Sequence, residues 1–328
     1  MTRPNVLVLA SDVLFQHFFT EESLNKLGAV ASWTRSALRE DSSQLRREIA
    51  NADALMTTWH SPFITAEMLG ENTRVKLIAH CGGEVKSRVS EDLFETVTIT
   101  NAADPMARGV AEMALALMLT MVRRIPDYAT EMREGVIRTN EYVSEGETLF
   151  GRRVGIVGFG RIGRAFAKLL KPLGVDVLVS DPHSVGTDYV KLVQLDELLS
   201  SCSVVVLCAA LTLETRGMFD QRRLALLGDG SYLINVARGG LIDMEALLNE
   251  LRSGRITAAL DVTDPLEPLP SDHELRKLPN VILTPHIAAG GIEMRREIGA
   301  VAVEEVIRFA TGEPPLNPVT KEMLATMT

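Results

Sequence analysis

Along most of its length the chain alternates short runs of Val, Ile and Leu with amphipathic stretches of helix length. Continuous apolar runs are the mark of strands buried on both faces, and helix-length connections make neighbouring strands parallel. Strands are therefore predicted at 5–10, 54–58, 76–80 and 96–100, forming one small α/β unit. A stronger series at 153–158, 175–180, 204–209, 232–237, 256–262 and 281–286 predicts a complete doubly wound sheet. The expected fold class is α/β, with two doubly wound parallel-sheet (Rossmann-like) domains, the larger of which binds a dinucleotide.

The stretch 106–125 is apolar nearly all round, which predicts a helix buried between domains rather than on a surface. Helical periodicity returns at 291–310 through Ile292, Ile298, Val301, Val306 and Phe309, and GEPPLNP stops it. The predicted organisation is a discontinuous substrate domain of 1–101 plus 311–328, a nucleotide domain of 102–290, and a crossover helix at 291–310.

Length and charge narrow the function. A chain of 328 residues with a mean hydropathy of +0.11 can bury more than one core. Its net charge of −9, with no polybasic block, argues against nucleic acid or an anionic membrane as a partner. Apolar runs such as VVVLCAAL fall well short of the ~20 residues of a bilayer span, so a soluble, unexported, cytoplasmic protein is expected. Cys81, Cys202 and Cys208 form neither a CxxC pair nor a metal-ligand cluster; they fit a reducing compartment, the last two as small buried hydrophobes.

The segment VGIVGFGRIGRAFAKLLKPLG sets Gly158, Gly160 and Gly163 directly after a predicted strand and at the start of a predicted helix. In that context the glycines allow a sharp turn, a close approach of backbone N–H groups to a pyrophosphate, and tight packing of helix on strand. The intervening Phe159, Arg161 and Ile162 belong to the same loop. The helix start adds unpaired N–H groups and a positive dipole end. Ile162, Phe166, Leu169 and Leu173 make the predicted apolar face, closed by Gly174. The next strand ends at Asp181, eighteen residues beyond Gly163, where a carboxylate can accept ribose hydroxyls and repel a 2′-phosphate. Pro182, His183 and Ser184 follow, with no arginine among them, so NAD is favoured over NADP.

Oxidising an alcohol with NAD needs a proton acceptor and a cation that holds an acidic substrate. In doubly wound folds both belong at carboxyl ends of strands. Arg238 follows the strand YLINVA and precedes Gly239 and Gly240, with Asp243 placed to cap the next helix; its guanidinium can grip a carboxylate through two hydrogen bonds. His286 ends VILTPH, and Glu267 stands between prolines in DPLEPLP. A carboxylate beside an imidazole favours its protonated form and fixes its tautomer, which suits a proton donor for ketone reduction. Taken singly, each has a plainer reading: a surface turn, a solvated loop carboxylate, a structural histidine.

Together the strings VGIVGFGRIG, INVARGGLIDMEAL, ALDVTDPLEPLP and VILTPHIA resemble, in order and separation, the signatures of the D-isomer-specific 2-hydroxyacid dehydrogenase family, most strongly from Gly151 to Ala289. The resemblance implies a homodimer with a split substrate domain, interconversion of a 2-oxoacid and a D-2-hydroxyacid, and a catalytic set of Arg238, Glu267 and His286. It also points to Asp261 as a nicotinamide amide contact and to Thr215 and Ala237 beside the cofactor. The substrate-cradling loop departs from the family pattern: AHCGGEVKSRV replaces the usual glycine-rich stretch with two Asp, and Glu112 is followed by Met113 where a His often stands. His80, Cys81, Gly82 and Gly83 are the substrate-loop candidates, with Lys86, Trp59 and His60 as possible neighbours. Two other readings are carried: an NADH-sensing corepressor-like protein, which the family includes, and a dehydrogenase of a non-carboxylate such as phosphite.

Overall fold

The computed structural model describes residues 3–139 and 141–327. Its strands are β1 Asn5–Leu9, β2 Ser32–Ser36, β3 Ala54–Thr57, β4 Leu77–His80, β5 Thr98–Asn101, β6 Arg153–Val157, β7 Asp176–Ser180, β8 Lys191–Leu192, β9 Val204–Leu207, β10 Ser231–Asn235, β11 Ile256–Leu260, β12 Val281–Leu283 and β13 Pro318–Val319. Contacts divide the chain into two units, residues 1–106 with 289–328, and residues 107–288.

The first unit holds a six-stranded sheet in the order β13-β5-β4-β3-β1-β2, parallel except where β13 runs against β5. The predicted strands occupy its centre, where β3 and β4 are buried at every position. β2, with the sequence SWTRS, escaped prediction because an edge strand that leaves most side chains in solvent needs no apolar pattern. The helix predicted to cross between domains runs Ile292–Thr311 and is instead built into this unit: Ile298, Ala302, Val303 and Val306 share a core with Phe18, Leu27 and Val8. Below it, buried Glu305 accepts the backbone N–H groups of Leu316 and Asn317 at 3.1 and 2.8 Å, which leads the chain into β13.

The second unit is a seven-stranded parallel sheet in the order β12-β11-β10-β9-β6-β7-β8. The order reverses around β6 and β9, and in open sheets ligands bind beyond the carboxyl ends at such a reversal. Helix Ala103–Val122 has the length and composition of a bilayer span, which inspection of the shorter apolar runs overlooked. Half of it is buried inside the protein, not all of it, and exposed Glu112 breaks its surface.

Helix Arg161–Leu170 buries Gly163, Phe166, Ala167 and Leu170, a face turned by one residue from the predicted one. The reason is local: Gly163 must lie against β6, so its neighbours at helical spacing are the buried ones, and Ile162 and Leu169 are half-buried. Gly174 ends the segment in the left-handed region, φ +64°.

Candidate dinucleotide and catalytic site

In the second unit, β6 is followed by Gly158, whose φ of +92° is a conformation that side chains resist. A Cβ there would lie 2.5 Å from the Ala209 backbone, and one on Gly163 would lie 2.2 Å from the Gly158 carbonyl oxygen, so helix and turn close only with both glycines. Around Gly160 a Cβ would meet nothing within 4 Å, which leaves open space at the first turn of the helix. A helix start that faces open space fits a pyrophosphate.

Asp181, just beyond β7, is tied to this turn. Its Oδ2 accepts the Phe159 N–H at 2.6 Å and its Oδ1 accepts the His183 N–H at 2.8 Å. Each oxygen keeps a further lone pair for a ribose hydroxyl. An arginine does reach the loop after Asp181, though not from the adjacent sequence: Arg164, packed over the Phe159 ring, donates to Ser184 Oγ at 2.8 Å. At this position the Asp181 carboxylate is the group whose charge would oppose a 2′-phosphate. Thr215 closes its own loop, donating to the Ala210 carbonyl and accepting the Thr212 N–H, each at 2.7 Å. Ala237 is buried behind the β10 tip.

Beyond β10, Arg238 donates from Nη1 to the Ala237 carbonyl at 2.8 Å. Its turn is held by Asn235, wholly buried, which accepts the Ala237 N–H at 3.0 Å and donates to the Arg238 carbonyl at 2.9 Å. A Cβ on Gly239 would sit 2.1 Å from Thr263, so the Arg238 turn and the loop bearing Glu267 touch backbone to backbone. Asp243 caps the following helix as predicted, accepting from Glu245 and Ala246.

Glu267 Oε2 lies 3.1 Å from His286 Nδ1. Its Oε1 accepts the Thr263 N–H at 3.4 Å, and Thr263 Oγ1 donates to Leu266 at 2.6 Å, bracing the loop. His286 itself has φ +53°. Asp261, 1% exposed, turns its carboxylate to the residues around His286. Asn235 is the supporting residue that the sequence reading did not single out; a polar residue closing an otherwise apolar strand was the available signal.

In the first unit the substrate-loop candidates behave unlike exposed specificity residues. His80 is 1% exposed, shares a 2.9 Å hydrogen bond with Thr57 Oγ1, and Cys81 is packed in the core. Lys86 and His60 are exposed; Trp59 is half-buried, edge-on to Phe18 with the Arg295 guanidinium over its ring. What the loop offers is backbone: among the described residues, the Gly83 and Glu84 N–H groups take no partner.

Burial, with the Arg88 charge adding to it, pushes the His80 imidazole down to about 3. The unfolded chain binds a proton near pH 6.5 that the native state refuses, so the stability of neutral His80 is fully present above that pH and declines as pH falls towards 3, by up to about 1.4 kcal/mol per pH unit. His80→Asn, which can keep the Thr57 bond, should flatten the fall in Tm between pH 6.5 and 5. An unchanged acid slope would show that other groups set it.

Three comparisons bear on this chain. Residues 115–288 match the model of the D-isomer specific 2-hydroxyacid dehydrogenase NAD binding domain. The chain is 34% identical to a glyoxylate reductase of Thermococcus onnurineus, over 87% of this chain and 89% of that protein. It is 32% identical to a D-3-phosphoglycerate dehydrogenase of Archaeoglobus fulgidus, over 84% of this chain; there it spans about half of the relative, 53%. Among solved structures, the 2-hydroxyacid dehydrogenase of Ketogulonicigenium vulgare Y25 superposes with a TM-score of 0.81 at 27% identity, covering 98% of this chain and 99% of that one.

Proposed function

The chain belongs to the D-isomer-specific 2-hydroxyacid dehydrogenase family, and we propose that it interconverts a 2-oxoacid and a D-2-hydroxyacid with NAD(H). The observation that carries this reading is the His286–Glu267 pair, 3.1 Å apart beyond the carboxyl ends of a dinucleotide-type sheet that also bears Arg238. Gly158–Gly163 and Asp181 would hold NADH, which would supply the hydride that a carbonyl carbon receives. Arg238 binds the substrate carboxylate or carbonyl and polarises it. His286 gives a proton to the nascent alkoxide oxygen in reduction and takes it back in oxidation, while Glu267 holds the ring by Nδ1 and leaves Nε2 for the substrate. Of the loop candidates His80, Cys81, Gly82 and Gly83, the first two have buried side chains, and the loop's offer to a substrate oxygen is the Gly83 and Glu84 backbone N–H groups.

The reading includes a homodimer working on small molecules in the cytoplasm, with neither nucleic acid nor membrane as partner. Its net charge of −9 supports the exclusion of nucleic acid.

An NAD(H) assay with glyoxylate, hydroxypyruvate, pyruvate, bulkier 2-oxoacids and phosphite tests the proposal. Turnover of at least one 2-oxoacid to the D product is expected. NADH binding without turnover of any would replace the enzyme by a nucleotide-sensing protein, and turnover of phosphite alone would change the substrate class. Within the same assay Asp181→Ala should lower the preference for NADH over NADPH by about tenfold or more, since removing one carboxylate from beside a phosphate is worth roughly 1.4 kcal/mol or more. An unaltered ratio would place cofactor selection elsewhere.

A further inference from the structure

We propose that Arg164 is a binding residue for a phosphate on the adenosine 2′ oxygen, so that this chain takes NADP(H) as well as NAD(H). The inference rests on the reading of Gly158–Gly163 and Asp181 as a dinucleotide site.

Arg164 follows Gly163 in the first turns of helix Arg161–Leu170. Its side chain is fixed from two sides. The guanidinium carbon lies 4.5 Å from the centroid of the Phe159 ring, and Phe159 is itself buried, so the platform beneath the charge is packed in place. Nη2 donates to Ser184 Oγ at 2.8 Å, and that hydroxyl donates its own hydrogen to the Val185 carbonyl at 3.2 Å. Asp181 is held by the same two segments: its Oδ2 accepts the Phe159 N–H at 2.6 Å and its Oδ1 the His183 N–H at 2.8 Å. Guanidinium and carboxylate are thus mounted on one turn and one loop, at the end of the sheet where Asp181 would meet an adenosine ribose.

The two charges do not neutralise each other. Among the described residues Arg164 pairs with neither Asp181 nor any other carboxylate, and Ser184 is the one hydrogen-bond partner of its side chain. Its remaining N–H groups are not buried. A guanidinium that is stacked in place, keeps its charge unpaired and has donors open to solvent can grip a phosphate through two hydrogen bonds, with little side-chain freedom left to lose. A ribose hydroxyl meets Asp181 as donor to acceptor. A 2′-phosphate meets it as charge against charge, and Arg164 supplies the sign that offsets the repulsion.

NADH and NADPH differ only in that phosphate, and fluorescence titration reads their binding without turnover. Both should bind the wild-type protein. Arg164→Gln keeps a polar donor and removes the charge; it should weaken NADPH by about tenfold or more and NADH by less than about twofold. Arg164→Lys restores the charge without the planar fork and should recover part of the NADPH affinity. In Asp181→Ala, NADPH should tighten, and adding Arg164→Gln should again weaken it by about tenfold, because the arginine acts on the phosphate and not through Asp181.

Equal weakening of both cofactors by Arg164→Gln would make the arginine a support of the turn and overturns the proposal. So does an NADPH affinity indifferent to the change, or one that responds only while Asp181 is present. Binding of NADH with no binding of NADPH overturns it and leaves the dinucleotide reading intact, whereas failure of both to bind removes that reading and the proposal with it. Should Arg164→Gln not fold, Ser184→Ala frees the guanidinium from its anchor and should weaken NADPH selectively by a smaller factor; an unchanged ratio of the two Kd values would count against the proposal in the same way.

Discussion

Substitution of His286 by Ala is expected to lower kcat for the accepted 2-oxoacid by about 10²-fold or more while NADH binds as before. A positioned proton donor contributes roughly 10²–10⁴ to a rate, and among the described residues no second imidazole lies beside Glu267 to take over. The proposed nucleotide elements, the Gly158–Gly163 turn and Asp181, bond or pack to Phe159, Ser180, His183 and Ala209, none through His286. The loss should therefore appear in kcat and kcat/KM together, the pattern of an interaction made only in the transition state. Single-turnover reduction measured alongside a fluorescence titration of NADH separates the two effects. Turnover at the wild-type rate would remove His286 from the chemistry and the proposed mechanism with it.

How much of this was readable beforehand follows from where the information sits. Strands β1, β3 to β7 and β9 to β12 announced themselves because burial on both faces forces a continuous apolar run. β2, β8 and β13 did not: Ser32–Ser36 is mostly in solvent, Lys191 and Leu192 are both exposed, and Pro318–Val319 is a two-residue pairing made only after the chain has returned from Glu305. The three residues proposed for catalysis could be singled out because a strand end is a sequence position, so side chains at strand ends can be read in order. Their supports could not. Asp261 reaches its amide partners across 26 and 27 residues, and those partners are backbone N–H groups, which carry no side-chain identity into the sequence. Asn235 likewise acts on backbone. Arg164 finds Ser184 from the opposite side of β7, a neighbour that adjacency along the chain conceals. In the first unit, His80 and Cys81 sit next to two glycines in a loop, which suggests exposure; the fold turns both side chains into the core and leaves only the backbone outward.

Replacing Arg238 should be the other large effect, and the comparison of two substitutes makes it specific. The guanidinium is planar, always charged and able to give two parallel hydrogen bonds to a carboxylate, whereas a lysine ammonium is a point charge on a flexible stem. Asn235 clamps the backbone on both sides of Arg238, and the Gly239 contact with Thr263 sets that backbone against the Glu267 loop, so the side chain is delivered from a fixed base. Truncating one partner of a desolvated charge pair costs about 2–5 kcal/mol, equivalent to roughly 30-fold to several thousandfold. Arg238→Ala is therefore expected to lower kcat/KM for the 2-oxoacid by about 10²–10³-fold, with KM rising and NADH affinity unchanged. Arg238→Lys should recover only a minor part of the loss, because restoring the charge without the planar fork leaves one substrate oxygen without its donor. A lysine variant close to wild type would mean that charge alone is used at this position, and a loss confined to NADH binding would move Arg238 from the substrate to the cofactor.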